Sequence, residues 1–223
     1  MALGGFQRTT PIVLNLIIIN ALVYLAQGLF GERSFDLFAL HHIQSDSFEP
    51  YQIVTHMFMH GGFFHLLFNM FALWMFGTNM ERLWGPKRFL TFYLICGLGA
   101  AVAQLINYYV DYGSIPFASL SESQQAYVQE AWRRNATVGA SGAIMGVLAA
   151  FGYTFPNTTL FIMPIPFPIK AKWAIMGIIA LDVFGGISKV PGDNIAHFAH
   201  VGGAIIGIII VIIWNRTNKQ TFY

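Results

Sequence analysis

Charge is what this chain has least of. Lys, Arg, Asp and Glu make up 10% of its 223 residues, 12 basic and 10 acidic, where a soluble domain carries roughly 25%. So few charges cannot cover the apolar surface of a chain that is 56% hydrophobic with a mean hydropathy of +0.57. That excludes a soluble globular protein. The net charge is only +2 and the basic residues are scattered, which excludes a nucleic-acid-binding surface. Cysteine is nearly absent: Cys96 stands alone in an apolar run, so no intrachain disulfide forms and the residue reads as packing. Missing too are an internal repeat, a low-complexity tract and a His-Glu-x-x-His zinc-protease signature.

What is present is apolar length. A bilayer core takes about 20 mostly apolar residues per helix, and six segments qualify, near 11–30, 52–76, 89–110, 137–155, 171–188 and 194–214. The first is too long for the core of a signal peptide and has no small-residue cleavage site after it, so it reads as an uncleaved span. The fold class is an all-α membrane protein, a six-transmembrane-helix bundle forming one domain over residues 1–223. Arg8, Arg82, Lys87, Arg88, Lys170, Lys172, Arg216 and Lys219 flank the spans on one side, and Arg33, Arg133, Arg134 and Lys189 on the other. Basic residues favour the cytoplasmic side, which puts both termini in the cytoplasm. The segment from Pro156 to Pro168, with Pro164 and Pro166 inside it, cannot continue a helix and reads as a cytoplasmic connection. Trp74, Trp84, Trp132, Trp173 and Trp214 read as interfacial anchors, and the Asn135 and Asn157 sequons carry no weight.

Orientation sets depth. Spans two, four and six all start outside, so Ser141 lies about four residues into span four and His200 about six into span six, roughly 6 and 9 Å along their axes. Span two carries His56, His60, His65 and Asn69 in its outer half. Polar groups at such depth face a protein interior or a wet cavity, and three segments deliver them to one outer level. A serine is a weak nucleophile until a base takes its proton, and His200 is the candidate base. Gly142 and Gly146 of span four, with Gly203 and Gly207 on the His200 face of span six, allow the two helices to approach closely. His65 and Asn69, four apart on one helical face, and the Ser141 backbone N–H are candidate donors for a developing oxyanion. No carboxylate is evidently placed to orient His200, so the expectation is a Ser–His dyad. Asp182, the only acid well inside a span, reads as a polar contact near the outer end of span five.

Four motifs then fall in order: His65-Leu-Leu-Phe-Asn69, Gly77 to Glu81, Gly139-Ala-Ser141-Gly142 and Ala199-His200-Val-Gly-Gly203. With them the chain, from about Phe48 to Gly207, resembles the rhomboid family of intramembrane serine proteases in its bacterial six-helix form. The resemblance implies a nucleophile at Ser141, a general base at His200 and oxyanion support from His65 and Asn69. It implies no metal and no cofactor. The partners it implies are the lipid bilayer and transmembrane-protein substrates, cut near a small residue where the helix unwinds. It also implies a partly membrane-embedded loop over 31–51 and a lateral gate at span five. Where some relatives have an aromatic ring one turn after the serine, this chain has Met145, whose thioether can pack on an imidazole. Without a mitochondrial-type leader, the expected location is a bacterial inner membrane.

Two other readings compete. A rhomboid-like protein can bind membrane clients without catalysis, although such proteins typically lack the serine or the histidine. The five histidines His56, His60, His65, His197 and His200 also suggest a membrane metalloprotein, against which stands the lack of well-placed carboxylates. For His56, His60 and His197 the expected role is hydrogen bonding within the bundle or around a water-filled cavity.

Overall fold

The computed structural model describes residues 9–161, 167–188 and 195–217. Arg8, Pro164, Pro166, Lys189 and Lys219 lie outside them. The helices in chain order are α1 (Pro11–Phe30), α2 (Glu32–Phe38), α3 (Gln52–Thr55), α4 (Phe63–Ala72), α5 (Thr78–Trp84), α6 (Pro86–Tyr112), α7 (Glu122–Arg134), α8 (Ser141–Thr154), α9 (Ala171–Ser188) and α10 (His197–Thr217). Among the described residues, α1, α6, α9 and α10 are long and apolar enough to cross a membrane. The chain is an integral membrane protein.

Spans one and five have the expected bounds, and span three extends to Pro86–Tyr112. Span two differs. Residues 52–58 form a short helix and a 3₁₀ turn, the chain is extended through Met59, and the helix proper starts only at Phe63. Gly61-Gly62 explains the break, since paired glycines hold a helix poorly. His56 and His60 therefore precede the span instead of lying on its face. A π-helical turn, Leu73–Gly77, then joins α4 to α5, and the widened turn resets the register between His65 on one side and Glu81 on the other.

Glu81 serves the fold. Its carboxylate, 1% exposed, accepts the backbone N–H groups of Ile12 and Val13 at 2.9 and 2.8 Å. These belong to the first turn of α1, where no intrahelical acceptor exists, and a negative charge suits the positive end of the helix dipole. The last of the motif positions from Gly77 to Glu81 is thus a helix cap that ties span two to span one.

Helix α8 is the centre of the bundle, packed by α10, α6 and α9. At 14 residues it is about 21 Å long, starting at Ser141 rather than near 137. The α8–α10 seam is backbone against backbone: a β-carbon on Gly203 would lie 1.8 Å from the Gly142 carbonyl oxygen, and one on Gly207 2.6 Å from that of Gly146. The glycine stripe does bring spans four and six into contact. Buried Cys96 packs at the same level as Gly146.

Two parts were not legible as elements. Helix α7 is polar and starts with a capping box, Ser121 bonded to the N3 backbone and Gln124 reaching back; the Ser-x-x-Gln signature is visible in the sequence. The 31–51 stretch docks on α7 through the Arg133–Asp36 pair at 2.8 Å and the His42 ring stacked on Trp132 at 4.4 Å. Trp132 is therefore a buried packing residue, not an interfacial anchor. Trp84 and Trp214 pack edge to face at 5.2 Å within the bundle. After α8, Thr159–Leu160 pairs antiparallel with Ile169–Lys170, a small ribbon in the proline-containing connection.

Candidate active site

The serine stands on a tightly held turn. Gly139 has φ +131, which other residues rarely adopt, and a β-carbon there would lie 2.9 Å from the His65 ring; glycine is required on both counts. The strap leading to it is pinned from three directions. Leu40 and Thr137 exchange backbone hydrogen bonds, each 2.9 Å; Gly139 N–H donates to the His56 carbonyl at 2.9 Å; and the Tyr108 hydroxyl lies 2.7 Å from Thr137 Oγ1. Ser141 therefore opens α8 at a defined place, with its own N–H in the first turn and without an intrahelical acceptor.

His200 lies one turn into α10. Its Nε2 is 2.7 Å from Ser141 Oγ, and its Nδ1 is 3.0 Å from Asp182 Oδ1. An ionised carboxylate only accepts, so Nδ1 donates to Asp182 and Nε2 is left as acceptor for the serine hydroxyl. That tautomer follows from the hydrogen-bond network. It corrects the expectation that no carboxylate orients His200: Asp182, 8% exposed in α9, does. The same oxygen also receives His197 Nδ1 at 2.8 Å. The matching depth of Asp182 and His200 was readable in the sequence; which way α9 turns was not.

His65 lies in the first turn of α4, and Asn69 follows one turn later on the same face. Gly61 N–H donates to His65 Nδ1 at 3.3 Å, which puts the proton of a neutral imidazole on Nε2. That nitrogen and Ser141 Oγ flank the same point, lying 2.9 and 3.3 Å from where a Gly139 β-carbon would be. Asn69 is buried, and its Nδ2 has no acceptor in the described structure. Met145 is buried one turn after the serine.

The remaining histidines disperse. His56 Nδ1 bonds the Gln52 carbonyl at 2.9 Å, and the His60 ring meets His65 edge-on at 5.1 Å while its backbone N–H and C=O are clamped by the Gln27 side chain, both at 2.9 Å. Among the described residues no three His, Cys, Asp or Glu side chains form a metal-binding group.

A serine, a histidine and a carboxylate joined in series at one end of a bundle of apolar helices define a membrane protein with the side chains for acyl transfer. Comparison with known proteins gives the family. The Rhomboid domain family matches residues 47–217. The chain is 30% identical to Rhomboid protease AarA of Providencia stuartii, aligned over 95% of this chain and 73% of that one. It is also 30% identical to RHOMBOID-like protein 12, mitochondrial, of Arabidopsis thaliana, over 98% of this chain and 65% of the relative. With the human Presenilin-associated rhomboid-like protein, mitochondrial, identity is 33% over 71% of this chain and 38% of the relative. The chain belongs to the rhomboid family. It spans from 38% to 73% of the length of these relatives.

Proposed function

We propose that this protein is an intramembrane serine endopeptidase that hydrolyses peptide bonds in or beside transmembrane segments of other membrane proteins. The observation that carries the reading is the 2.7 Å approach of His200 Nε2 to Ser141 Oγ, with Asp182 on the opposite ring nitrogen. Ser141 Oγ attacks the scissile carbonyl carbon as its proton passes to His200. The resulting imidazolium is stabilised by the Asp182 carboxylate. Negative charge gathers on the former carbonyl oxygen, where the Ser141 N–H, His65 Nε2–H and Asn69 Nδ2 are the donors; each such donor contributes about 100- to 1000-fold in rate. His200 returns the proton to the leaving amine, the C–N bond breaks and an ester to Ser141 remains. Water attacks that ester, giving its proton to His200, which passes it to Ser141 Oγ as the acyl C–O bond breaks and the carboxylic acid product leaves.

Peptide bonds in a helix are shielded by their own hydrogen bonds, so the substrate segment must unwind locally, which favours helices with weak or small-residue stretches. We further propose six spans, counting the broken α4–α5 path and α8, in a bacterial inner membrane with both termini cytoplasmic and the site opening outward. The excess of basic residues on one set of flanks supports that orientation.

The test is labelling of the detergent-solubilised protein with a fluorophosphonate, in which Ser141 Oγ displaces fluoride from phosphorus while His200 takes the proton. Labelling is expected in the wild type and in neither Ser141→Ala nor His200→Ala. A folded wild type that takes no label would instead support a client-binding protein without catalysis.

A further inference from the structure

Span one reaches the site through a single peptide unit. Gln27, buried near the end of α1, holds the backbone of His60 with both ends of its amide. Its Nε2 donates to the His60 carbonyl and its Oε1 accepts the His60 N–H, each at 2.9 Å. The His60 carbonyl and the Gly61 N–H belong to the same planar peptide and, in its trans form, point opposite ways. With the carbonyl held toward α1, the N–H is turned toward α4, where it donates to His65 Nδ1 at 3.3 Å. The other nitrogen of that ring is the one beside the serine: Nε2 and Ser141 Oγ lie 2.9 and 3.3 Å from the place a Gly139 β-carbon would take. A clamp on α1 is thus connected, through one peptide and one imidazole, to the proposed oxyanion site.

We propose that Gln27 is a positioning residue that, by fixing the peptide between His60 and Gly61, keeps the proton of His65 on Nε2. This inference rests on the reading of His65 as an oxyanion donor given above. A neutral imidazole has one donor and one acceptor nitrogen, so whatever faces Nδ1 decides what Nε2 offers. The Gly61 N–H at Nδ1 makes Nε2 a donor. With the peptide turned over, the His60 carbonyl oxygen would face Nδ1 and draw the proton there. Nε2 would then present a lone pair to the developing oxyanion, a repulsion in place of a hydrogen bond. The local sequence does little to oppose that turn, because Gly61 and Gly62 follow directly and glycine lacks the β-carbon that restricts φ. Gly61 is not in the left-handed region; turning the peptide over changes its φ by about half a turn, toward values that a β-carbon resists. Gln27 supplies the restraint that the glycines do not.

The experiment pairs NMR of the full chain, isotopically labelled at histidine, with the rate of fluorophosphonate labelling. Ring-nitrogen and ring-carbon shifts at about pH 8, above the ordinary histidine range, separate the two neutral tautomers, and His65→Ala assigns the signal. The wild type is expected to carry the proton on Nε2. Gln27→Met has similar length and no donor or acceptor. It is expected to show the Nδ1–H form and to slow labelling by about 10-fold or more, toward the ~100-fold that loss of one oxyanion donor costs. Gln27→Asn keeps an amide one methylene short of the clamp and tests the same step with less loss to the fold. Adding Gly61→Ala to either is expected to restore part of the Nε2–H form and of the rate. A β-carbon there has room, 3.8 Å from His65 Nδ1 and 3.9 Å from Val138, and resists the turned peptide; a merely structural loss is not repaired in this way. In the His65→Ala background, Gln27→Met is expected to slow labelling no further. An Nδ1–H tautomer in the wild type would overturn the proposal, as would a wild-type tautomer in both Gln27 variants or an undiminished effect of Gln27→Met without His65. A wild type that takes no label takes down the serine-nucleophile reading; a labelled wild type with any of those three results takes down this one alone.

Discussion

Helices α8 and α9 each lend one side chain to the same hydrogen-bonded chain, and they are held in opposite ways. Eleven of the 14 residues of α8 are buried, enclosed by α10, α6 and α9, whereas only Ala171, Ala174, Ile175 and Asp182 are buried among the 18 of α9. Met176, Leu181, Phe184 and Ile187 of α9 face outward. The serine thus sits on an almost wholly buried helix and its orienting carboxylate on a lightly packed one. The polar chain Ser141–His200–Asp182 crosses from one to the other and is itself a tie that holds α9 in place near its C-terminal end. A nucleophile must be placed to within fractions of an ångström, while a substrate helix needs a way in. Helix α8 meets the first demand, and under the proposed function the lightly packed α9 meets the second.

That contrast can be broken most severely at the α8 seam. Gly203→Ala would set a β-carbon 1.8 Å from the Gly142 carbonyl oxygen, and neither backbone can give way without moving Ser141. We expect loss of labelling and a destabilisation of about 1–3 kcal/mol or more, read by thermal unfolding in detergent; a variant that melts and labels like the wild type would mean the seam is not as tight as described. Asp182→Asn comes next. It should change the melting temperature little, because the amide oxygen of Asn still accepts a histidine N–H, yet slow labelling by about 100-fold or more through loss of the orienting charge. An unchanged rate would reduce Asp182 to a structural contact.

The comparison sharpens with a pair of matched truncations. Leu148→Ala in α8 removes a buried side chain and should cost about 2 kcal/mol or more, while Leu181→Ala on the outward face of α9 should stay within about 0.5 kcal/mol. Equal costs would contradict the packing contrast. The smallest expected effect lies outside the spans. Burial depresses the protonation of His42, against the weaker opposing pull of a backbone hydrogen bond at Tyr108. Its Nδ1 also accepts the Gln44 N–H at 3.1 Å, a bond that only the neutral ring can make. Since the folded state holds the value below the ordinary 6.5, the His42 contribution to stability is present above that pH and is lost as pH falls below it. Thermal melts at pH 7.5 and 5 should show a small acid loss that disappears in His42→Phe, which keeps the stack on Trp132.

Much of this site was legible before any coordinates. Ser141 and His200 meet because two glycine-lined helices start at the same membrane level, and both facts are written in spacing. Asp182 was visible at the right depth, but α9 is apolar all round, so no hydrophobic face told which way the carboxylate turns. The apolar length of 52–76 predicts one helix carrying His56 and His60, and Gly61-Gly62 interrupts it. Helix α7 carries the Ser121–Gln124 capping signature but lacks the apolar periodicity by which helices are found, since it packs mainly through Trp132.

By itself, then, the sequence determined the solvent this protein lives in, the helices that apolar length requires, and the pair of side chains that small residues allow to touch. These follow from composition and from a 3.6-residue period. Only the tertiary structure decided which face of α9 looks inward, that two imidazoles share the Asp182 oxygen, and that Glu81 caps a helix 68 residues upstream. Those depend on rotations of helices about their own axes. In a chain whose helices are apolar on every side, the direction of each polar group is settled by packing and by the need of buried donors and acceptors to find one another.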